Sequence, residues 1–378
     1  MLEFAADTGL TDSSREPRRY LWTDSFAVCN FLTLYRRTGE QKYQDLALRL
    51  VDQVHETLGK HHPDSQQTGW LSGLSDKEAQ RHTTRGGLRI GKKIKERQPD
   101  EPYDEAREWD RDGQYFHYLT KWMHALSAVS GVTGDAKYLA WAKELAKTAY
   151  VAFTYTPVPG GETRMYWKMS IDLSRPLVSS MGQHDPLDGL ATFLELEAAS
   201  KRLLGCTDAP SLETEINELS QMCVGKHWAT EDALGIGGLL VDTWILMSVV
   251  NSPRLPDGIN MGSLLSDIEH SLHAFLQNNS LNLPAGHRLA FRELGLSIGL
   301  QALNKMDQTL QLHANDFQHT EQLRSTLERL IHVEPLHELI EKFWLDPPNQ
   351  AVDAWREHKD INSVMLATSL APDGFLVS

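Results

Sequence analysis

The sequence has little cysteine, and the cysteines it has are scattered. Only Cys29, Cys206 and Cys223 occur among 378 residues, with no Cys-x-x-Cys pair and no cysteine and histidine spacing typical of zinc ligands. An odd, widely spaced set predicts neither a disulfide framework nor a structural metal site. We therefore expect no metal, no cofactor and a reducing, cytoplasmic location.

Excess positive charge and long apolar runs are also missing. The net charge is −14, which argues against a nucleic-acid partner and against an anionic membrane surface. No segment approaches the roughly 18 apolar residues of a membrane span, and the charged first twenty residues lack the apolar core of a signal peptide. A small-molecule partner fits this chain better, and the sequence does not indicate an oligomeric state.

Runs of strand-forming residues are scarce, and helical repeats take their place. The one run rich in β-branched and aromatic residues is AYVAFTYTPV, residues 149–158, which predicts a short hairpin arm. Two segments, FLTLYRRTGEQKYQDLALRL from Phe31 and LSAVSGVTGDAKYLAWAKEL from Leu126, share the pattern Thr-Gly-(Glu/Asp)-x-Lys-Tyr. Each indicates a helix that stops at a glycine, followed by a second helix.

The two helices of each repeat differ in kind. Residues 26–35 are apolar nearly all round, which predicts a helix enclosed by protein, whereas residues 43–58 carry one apolar stripe. Further enclosed segments follow near 113–127, 186–199, 235–250, 289–303 and 360–371, and striped segments alternate with them. About six of each kind predict an all-α (α/α)6 barrel, a six-hairpin toroid, as a single domain over residues 1–378. An α-solenoid of helix pairs is the alternative.

Long connections precede several enclosed helices, the longest at about residues 59–108. Because long ordered loops often carry functional residues, we expect the binding site at the end of the ring where the enclosed helices begin. An aspartate at the start of a helix can also simply cap that helix, and capping is the alternative interpretation of each such aspartate. Caps do not require tryptophan, arginine or histidine. The candidate binding residues at these positions are Trp22, Asp24, Trp109, Arg111, His117, His184, Arg288, Arg292, His358 and Asp360.

Carboxylates mixed with aromatic residues suit a sugar, because aromatic faces stack on a pyranose ring and charged groups bond its hydroxyls. Hydrolysis of a glycosidic bond requires one carboxylic acid with a raised pKa and a second carboxylate or an activated water. The candidate catalytic residues are Asp110, Asp112, Asp185 and Asp188. The sequence thus predicts a glycoside hydrolase that acts on a small carbohydrate.

Three segments resemble the six-hairpin glycosidase superfamily, nearest to the unsaturated glucuronyl and rhamnogalacturonyl hydrolases. YLWTDSFAVCNFLTLYRRTGEQKYQDLALRL is similar to their first hairpin, DRDGQYFHY to their second, and GQHDPLDGLATFLELEAAS to the aspartate-bearing helix of their third. The resemblance implies that Asp112 and either Asp185 or Asp188 are the working pair. Ser25 and Arg111 depart from the glycine and histidine of that family.

Two other functions stay open. The hairpin pattern also resembles N-acylglucosamine 2-epimerases, which implies a sugar epimerase or isomerase; its histidine candidates would be His117, His184, His287 and His358. A non-catalytic carbohydrate-binding or scaffold protein would keep the toroid without the chemistry.

The basic stretch within residues 60–97 has two interpretations, a solvated loop or a lid that steers an anionic saccharide. Within it, GGLRIGKK resembles a phosphate-binding loop. Lys93 stands where such a loop needs serine or threonine, so we expect no nucleotide site.

Overall fold

The computed structural model describes residues 1–12, 14–158, 160–203, 209–249, 256 and 258–377, and Cys206 lies outside this set. Two compact units are present, the N-terminal unit Leu2–Met222 and the C-terminal unit Cys223–Ser378. A single domain over the whole chain stays a prediction. Over the described ranges, no helix combines the length and apolar character needed to cross a membrane.

The N-terminal unit is mainly helical. Its helices are α1 (Leu2–Asp7), α2 (Leu21–Thr38), α3 (Gln41–Leu58), α4 (Asp76–Ala79), α5 (Glu105–Asp110), α6 (Phe116–Thr133), α7 (Ala136–Phe153), α8 (Asp185–Arg202) and α9 (Glu213–Cys223). Helix α6 packs against both α2 and α8, while α3 packs on α2 and α7 on α6. This arrangement is that of two neighbouring hairpins, α2–α3 and α6–α7, with α8 packed beside α6.

The two predicted kinds of helix are confirmed by burial. Every residue of α2 from Leu21 to Thr33 is buried, whereas α3 buries only a stripe that runs from Leu46 to Leu58. The predicted turns are confirmed as well. Gly39 and Gly134 end α2 and α6 with φ of 70° and 71°, a left-handed conformation that glycine adopts without steric cost.

The C-terminal unit repeats the pattern. Its helices are α10 (Ala233–Ser248), α11 (Met261–Gln277), α12 (Ala290–Leu312), α13 (Thr320–Ile331), α14 (Leu336–Leu345), α15 (Pro347–Gln350), α16 (Asp353–Arg356) and α17 (Lys359–Leu370). Helix α12 packs between α10 and α17. Glycines allow the close approach of α10 and α12, because a Cβ at Gly237 would collide with the carbonyl oxygen of Gly295.

Short strands supplement the helices of the N-terminal unit. They are β1 (Gln114–Tyr115), β2 (Thr154–Tyr155), β3 (Arg164–Met165), β4 (Lys168–Met169) and β5 (Pro176–Val178). Strand β2 pairs with β3 in an antiparallel hairpin, so the predicted hairpin arm is confirmed, although α7 takes up residues 149–153 of it. Strand β4 lies between β1 and β5 in a second antiparallel sheet.

A buried histidine fastens the long loop to two helices. His55 of α3 accepts a hydrogen bond at Nε2 from the indole N–H of Trp122 on α6 (3.0 Å). Its Nδ1 lies 2.9 Å from the hydroxyl of Thr83 in the loop. Burial lowers the pKa of His55 to about 3, so the imidazole is neutral and its Nδ1–H donates to Thr83.

We predict that His55→Ala destabilises the protein by about 2–4 kcal/mol, because it leaves two buried polar groups unpaired and opens a cavity. Urea unfolding checks this, with the exposed His332→Ala as control. Equal unfolding midpoints for the two variants would contradict the structural role of His55.

Candidate functional site

The first residues of three enclosed helices meet in the N-terminal unit. The hydroxyl of Tyr20, just before α2, lies 2.8 Å from that of Tyr118 on α6. The ring of Trp22 on α2 lies 6.0 Å from that of His117 on α6. His117 in turn lies beside Asp185, the first residue of α8, with 3.8 Å between Nδ1 and Oδ1. The starts of α2, α6 and α8 therefore form one cluster.

Aromatic rings form a continuous wall around this cluster. Tyr115 is stacked on His117 at 5.4 Å and on Trp167 at 5.1 Å between ring centroids. Trp109 continues the wall by an edge contact with Trp167 at 4.7 Å, and 46% of its surface is exposed. A partly exposed tryptophan beside stacked rings presents the flat apolar surface that a sugar ring can contact.

Asp185 is the most unusual acid of the cluster. Only 4% of the residue is exposed, and its Oδ2 has no hydrogen-bond partner among the residues the structure describes. Burial, with a smaller contribution from the charge of Asp188, raises the pKa of Asp185 to about 8. The carboxyl group is therefore protonated at neutral pH, although a helix N-terminus would by itself favour the anion.

Asp188, one turn along α8, has the opposite character. It accepts hydrogen bonds from the ammonium group of Lys121 (2.7 Å) and the hydroxyl of Thr120 (2.6 Å), both on α6. An ammonium group and a hydroxyl are donors that a carboxylate accepts from. Burial lowers the pKa of the neighbouring His117 to about 4, so that imidazole is neutral at neutral pH. The cluster thus combines a carboxyl group paired with a cation, a neutral acid and a neutral imidazole.

Asp112 is completely buried and fully engaged. Its Oδ1 accepts the backbone N–H groups of Gly91 (3.0 Å), Gly113 (3.0 Å) and Lys92 (3.4 Å), and its Oδ2 accepts from the guanidinium of Arg89. Arg89 also donates to the backbone carbonyl of Lys60 at 2.7 Å. Arg89, from the basic stretch interpreted as a solvated loop or a lid, is thus a buried partner of Asp112.

Helix α5 contains the predicted residues Trp109 and Asp110, and the predicted Arg111 follows its last residue. Asp110 is exposed, and Arg111 forms an ion pair with Glu101. The completely buried ammonium group of Lys168 donates to the Glu108 carboxylate (2.9 Å) and to the backbone carbonyls of Glu108 (2.6 Å) and Arg111 (2.9 Å). Lys168 therefore fixes the segment that presents Trp109.

Asp24 stabilises the start of α2, as the helix-capping interpretation predicts. Its Oδ2 accepts from the backbone N–H of Tyr20 (2.9 Å), and its Oδ1 lies 3.4 Å from the guanidinium of Arg19. His184 directly precedes α8 and is half-buried. Asp24 thus stabilises the entry into α2, next to Trp22 in the aromatic cluster.

The other predicted residues belong to the C-terminal unit. Arg288 forms a buried bidentate pair with Glu293, and Arg292 pairs with Asp232. His358 is exposed, with its ring 5.6 Å from that of Phe291, and His287 is also exposed. Asp360 lies half-buried in the first turn of α17.

Lys121, Tyr118 and Lys168 contribute to the cluster but were not predicted. Lys121 follows His117 by four positions, one helical turn, and is the lone charge in an apolar run, which is a recognisable sign of a buried ion pair. Lys168 stands likewise among large apolar residues in MYWKM. For the described ranges, no group of three His, Cys, Asp or Glu residues could hold a metal ion.

Comparison with known proteins shows the fold. No protein-family model and no curated protein matches this chain. Among solved structures, the GH76 α-mannanase BT2949 of Bacteroides thetaiotaomicron is similar, with a TM-score of 0.53, 10% identity, and coverage of 99% of this chain and 96% of that one. The all-α (α/α)6 fold is therefore confirmed.

Two cellobiose 2-epimerases are similar at lower TM-scores. The enzyme of Spirochaeta thermophila has a TM-score of 0.49 and 13% identity, with coverage of 95% of this chain and 87% of that one. The enzyme of Bacillus thermoamylovorans has a TM-score of 0.49 and 11% identity, with coverage of 98% and 96%.

We predict that Asp112→Asn lowers the free energy of unfolding by about 3–5 kcal/mol, because it leaves the buried Arg89 cation without a counter-charge. Asp110→Asn is the matched control, since Asp110 is exposed and should change stability by less than about 0.5 kcal/mol. Chemical denaturation measures both. Similar stability of the two variants would contradict the buried pair.

The protonated state of Asp185 predicts a pH dependence of stability. The native state holds a proton that the unfolded state releases above its ordinary pKa, so stability falls as pH rises from about 4 to about 8. Relative to Asp185→Asn, the wild type should lose about 1.4 kcal/mol per pH unit across that window. Parallel curves of unfolding free energy against pH for the two proteins would contradict the raised pKa.

Proposed function

We propose that this chain is a carbohydrate-active enzyme, a glycoside hydrolase in which Asp185 is the general acid. The observation that supports it best is the buried carboxyl group of Asp185, whose Oδ2 has no hydrogen-bond partner among the described residues. Asp185 lies 3.8 Å from His117, whose ring is stacked with Trp167. A general acid for a glycosidic oxygen must hold its proton at the working pH and sit beside a surface that binds a sugar.

The two acids of α8 have complementary roles in this proposal. Asp185, whose pKa is raised mainly by burial and less by the charge of Asp188, donates its proton to the leaving oxygen, while Asp188 stays paired with Lys121. After the glycosidic bond breaks, a water molecule attacks the anomeric carbon, and the proton that this water loses passes to the Asp185 anion and restores the acid. Asp112 then has a structural role, because it is completely buried and both its oxygens accept hydrogen bonds from Arg89 and the backbone.

The wall provides the binding surface. Trp109 and Trp167 meet at an interplanar angle of 70°, so two rings at different inclinations can contact the apolar faces of two sugar units. Such stacking contributes about 0.5–1.5 kcal/mol per aromatic contact beyond the area that it buries. We propose a small saccharide as substrate, and α-mannosides enter the test because the similar solved structure is an α-mannanase.

A sugar epimerase or isomerase is the second candidate, and one observation favours it. His117 is a neutral imidazole whose Nδ1 lies 3.8 Å from Asp185. A neutral imidazole can take a proton from the carbon beside a carbonyl, and a neutral carboxylic acid can give one to the carbonyl oxygen. In that reaction glycosidic bonds stay intact.

We predict that Asp185→Asn lowers kcat about 10²- to 10⁴-fold, the usual contribution of a general acid. The assay measures release of reducing sugar from α-mannosides, neutral disaccharides and unsaturated uronides. The variant should remain folded, because asparagine is nearly the shape of the protonated acid. The wild-type kcat/KM should also fall as pH rises through about 8, where Asp185 loses its proton.

The matched control is Asp64→Asn, an exposed carboxylate whose removal should leave turnover unchanged. Incorporation of solvent deuterium into free aldoses by the wild type, lost in His117→Gln, would instead support the epimerase. Saccharide binding without either reaction would support the non-catalytic alternative and overturn the hydrolase.

A further inference from the structure

The C-terminal unit contains a cavity. Of the predicted site residues, only Arg288 lines it. It has a volume of about 300 Å³ and lies between the end of α11, the 3-10 turn Ser280–Asn282 and α14. This volume is at the small end of the range for ligand pockets. A molecule about as large as one substituted ring would fill it.

A fixed arginine forms one side of this cavity. Arg288 is 5% exposed and donates to Glu293 from Nε (2.8 Å) and Nη2 (2.6 Å), and to the carbonyl of Leu281 from Nη1 (2.7 Å). Its guanidinium carbon lies 3.7 Å from the ring centre of Phe343. Glu293 is held in turn by the indole N–H of Trp344 at 2.8 Å. The arginine is therefore rigid, and its charge is neutralised.

The guanidinium keeps donor capacity for a ligand. It has five N–H groups, and the hydrogen bonds found among the described residues use three of them. The two others belong to Nη1 and Nη2 of a residue that lines the cavity. They can donate to a neutral oxygen, whereas the adjacent Glu293 carboxylate opposes the approach of an anion.

The remaining walls are apolar and reach the surface. Phe275 and Ile340 are buried, while Leu276 and Leu339 at the rim are 43% and 64% exposed. Apolar side chains grouped around a concavity are typical of a ligand site, whereas single exposed leucines need no explanation. The hydrocarbon part of a ligand would cover these side chains.

A shielded hydroxyl in the lining is unsatisfied among the described residues. The Oγ of Ser280 is shielded from solvent and has no hydrogen bond within the described part of the chain, which is unfavourable for a buried hydroxyl. The preceding Asn279 has φ of 51°, an uncommon conformation for a residue other than glycine. Unsatisfied groups and uncommon backbone conformations concentrate where a ligand binds.

We infer that this cavity is a second binding site, for a small uncharged molecule with a ring-sized hydrocarbon body and one hydroxyl or carbonyl oxygen. The oxygen bonds Ser280 and Arg288, and the hydrocarbon contacts Leu276 and Leu339. The ligand is uncharged because Arg288 is the one charged side chain among the described residues of the lining, and Glu293 already neutralises it.

Benzyl alcohol is the probe that tests this site, titrated into the full-length protein and followed by saturation-transfer NMR. We predict a Kd of about 1 mM, which corresponds to about −4 kcal/mol. Leu339→Arg places a charge at the rim and should weaken binding at least about tenfold, and Ser280→Ala about fivefold. Leu312→Arg is the control, because Leu312 is 79% exposed at the end of α12 and does not line the cavity; it should bind as the wild type does.

Two further probes test the proposed chemistry. Toluene lacks the hydroxyl group and benzoate adds a charge, so both should bind more weakly than benzyl alcohol. Absence of benzyl alcohol binding, equal binding by Leu339→Arg, or tighter binding of benzoate would each overturn the proposal. Thermal unfolding of each variant confirms that it is folded, and since Leu339 and Leu312 are both exposed, substitution of either should leave the melting temperature unchanged.

Discussion

Loss of water around the first turns of α2, α6 and α8 is the constraint on which the candidate site depends. These helices are enclosed by protein, so an ionisable group at their start must find a partner or give up its charge. Asp24, Asp112 and Asp188 each have a cationic partner, in Arg19, Arg89 and Lys121 respectively. For Asp185 no such cationic partner is found among the described residues, and burial raises its pKa to about 8.

The presence or absence of a cationic partner gives these aspartates different chemical roles. An aspartate bonded by a guanidinium and backbone N–H groups is a stable anion, and it can hold a loop as Asp112 does. A carboxyl group held neutral beside an ionised neighbour can donate a proton at neutral pH. We propose that a sugar lies on the exposed end of the adjoining wall, formed by Tyr115, His117, Trp167 and Trp109.

Much of the fold could be predicted because its signals are local. The Thr-Gly turns at Gly39 and Gly134 and the contrast between α2 and α3 are written in short stretches of sequence. The short strands β1, β4 and β5 were not predicted, because segments of two or three residues show no alternation. The accumulation of aromatic and acidic residues at helix starts was likewise visible in the sequence.

The pairing of the acids could not be predicted. Arg89 reaches Asp112 from the long loop, Lys121 reaches Asp188 from another helix, and Lys168 reaches Glu108 from a strand. Each pair joins residues far apart in the chain, so sequence spacing gives no sign of which acid lacks a cation. Asp112 and Asp185 therefore looked equivalent as candidates, although their surroundings are opposite in character.

The protonation state of Asp185 tests this account most directly. Difference infrared spectroscopy of the wild type against Asp185→Asn detects the carbonyl stretch of a protonated carboxyl group as pH is varied. We expect a carboxylic-acid band at pH 6 that is absent from the variant and disappears as pH rises through about 8. A carboxylate at position 185 that is already ionised at pH 5 would contradict it.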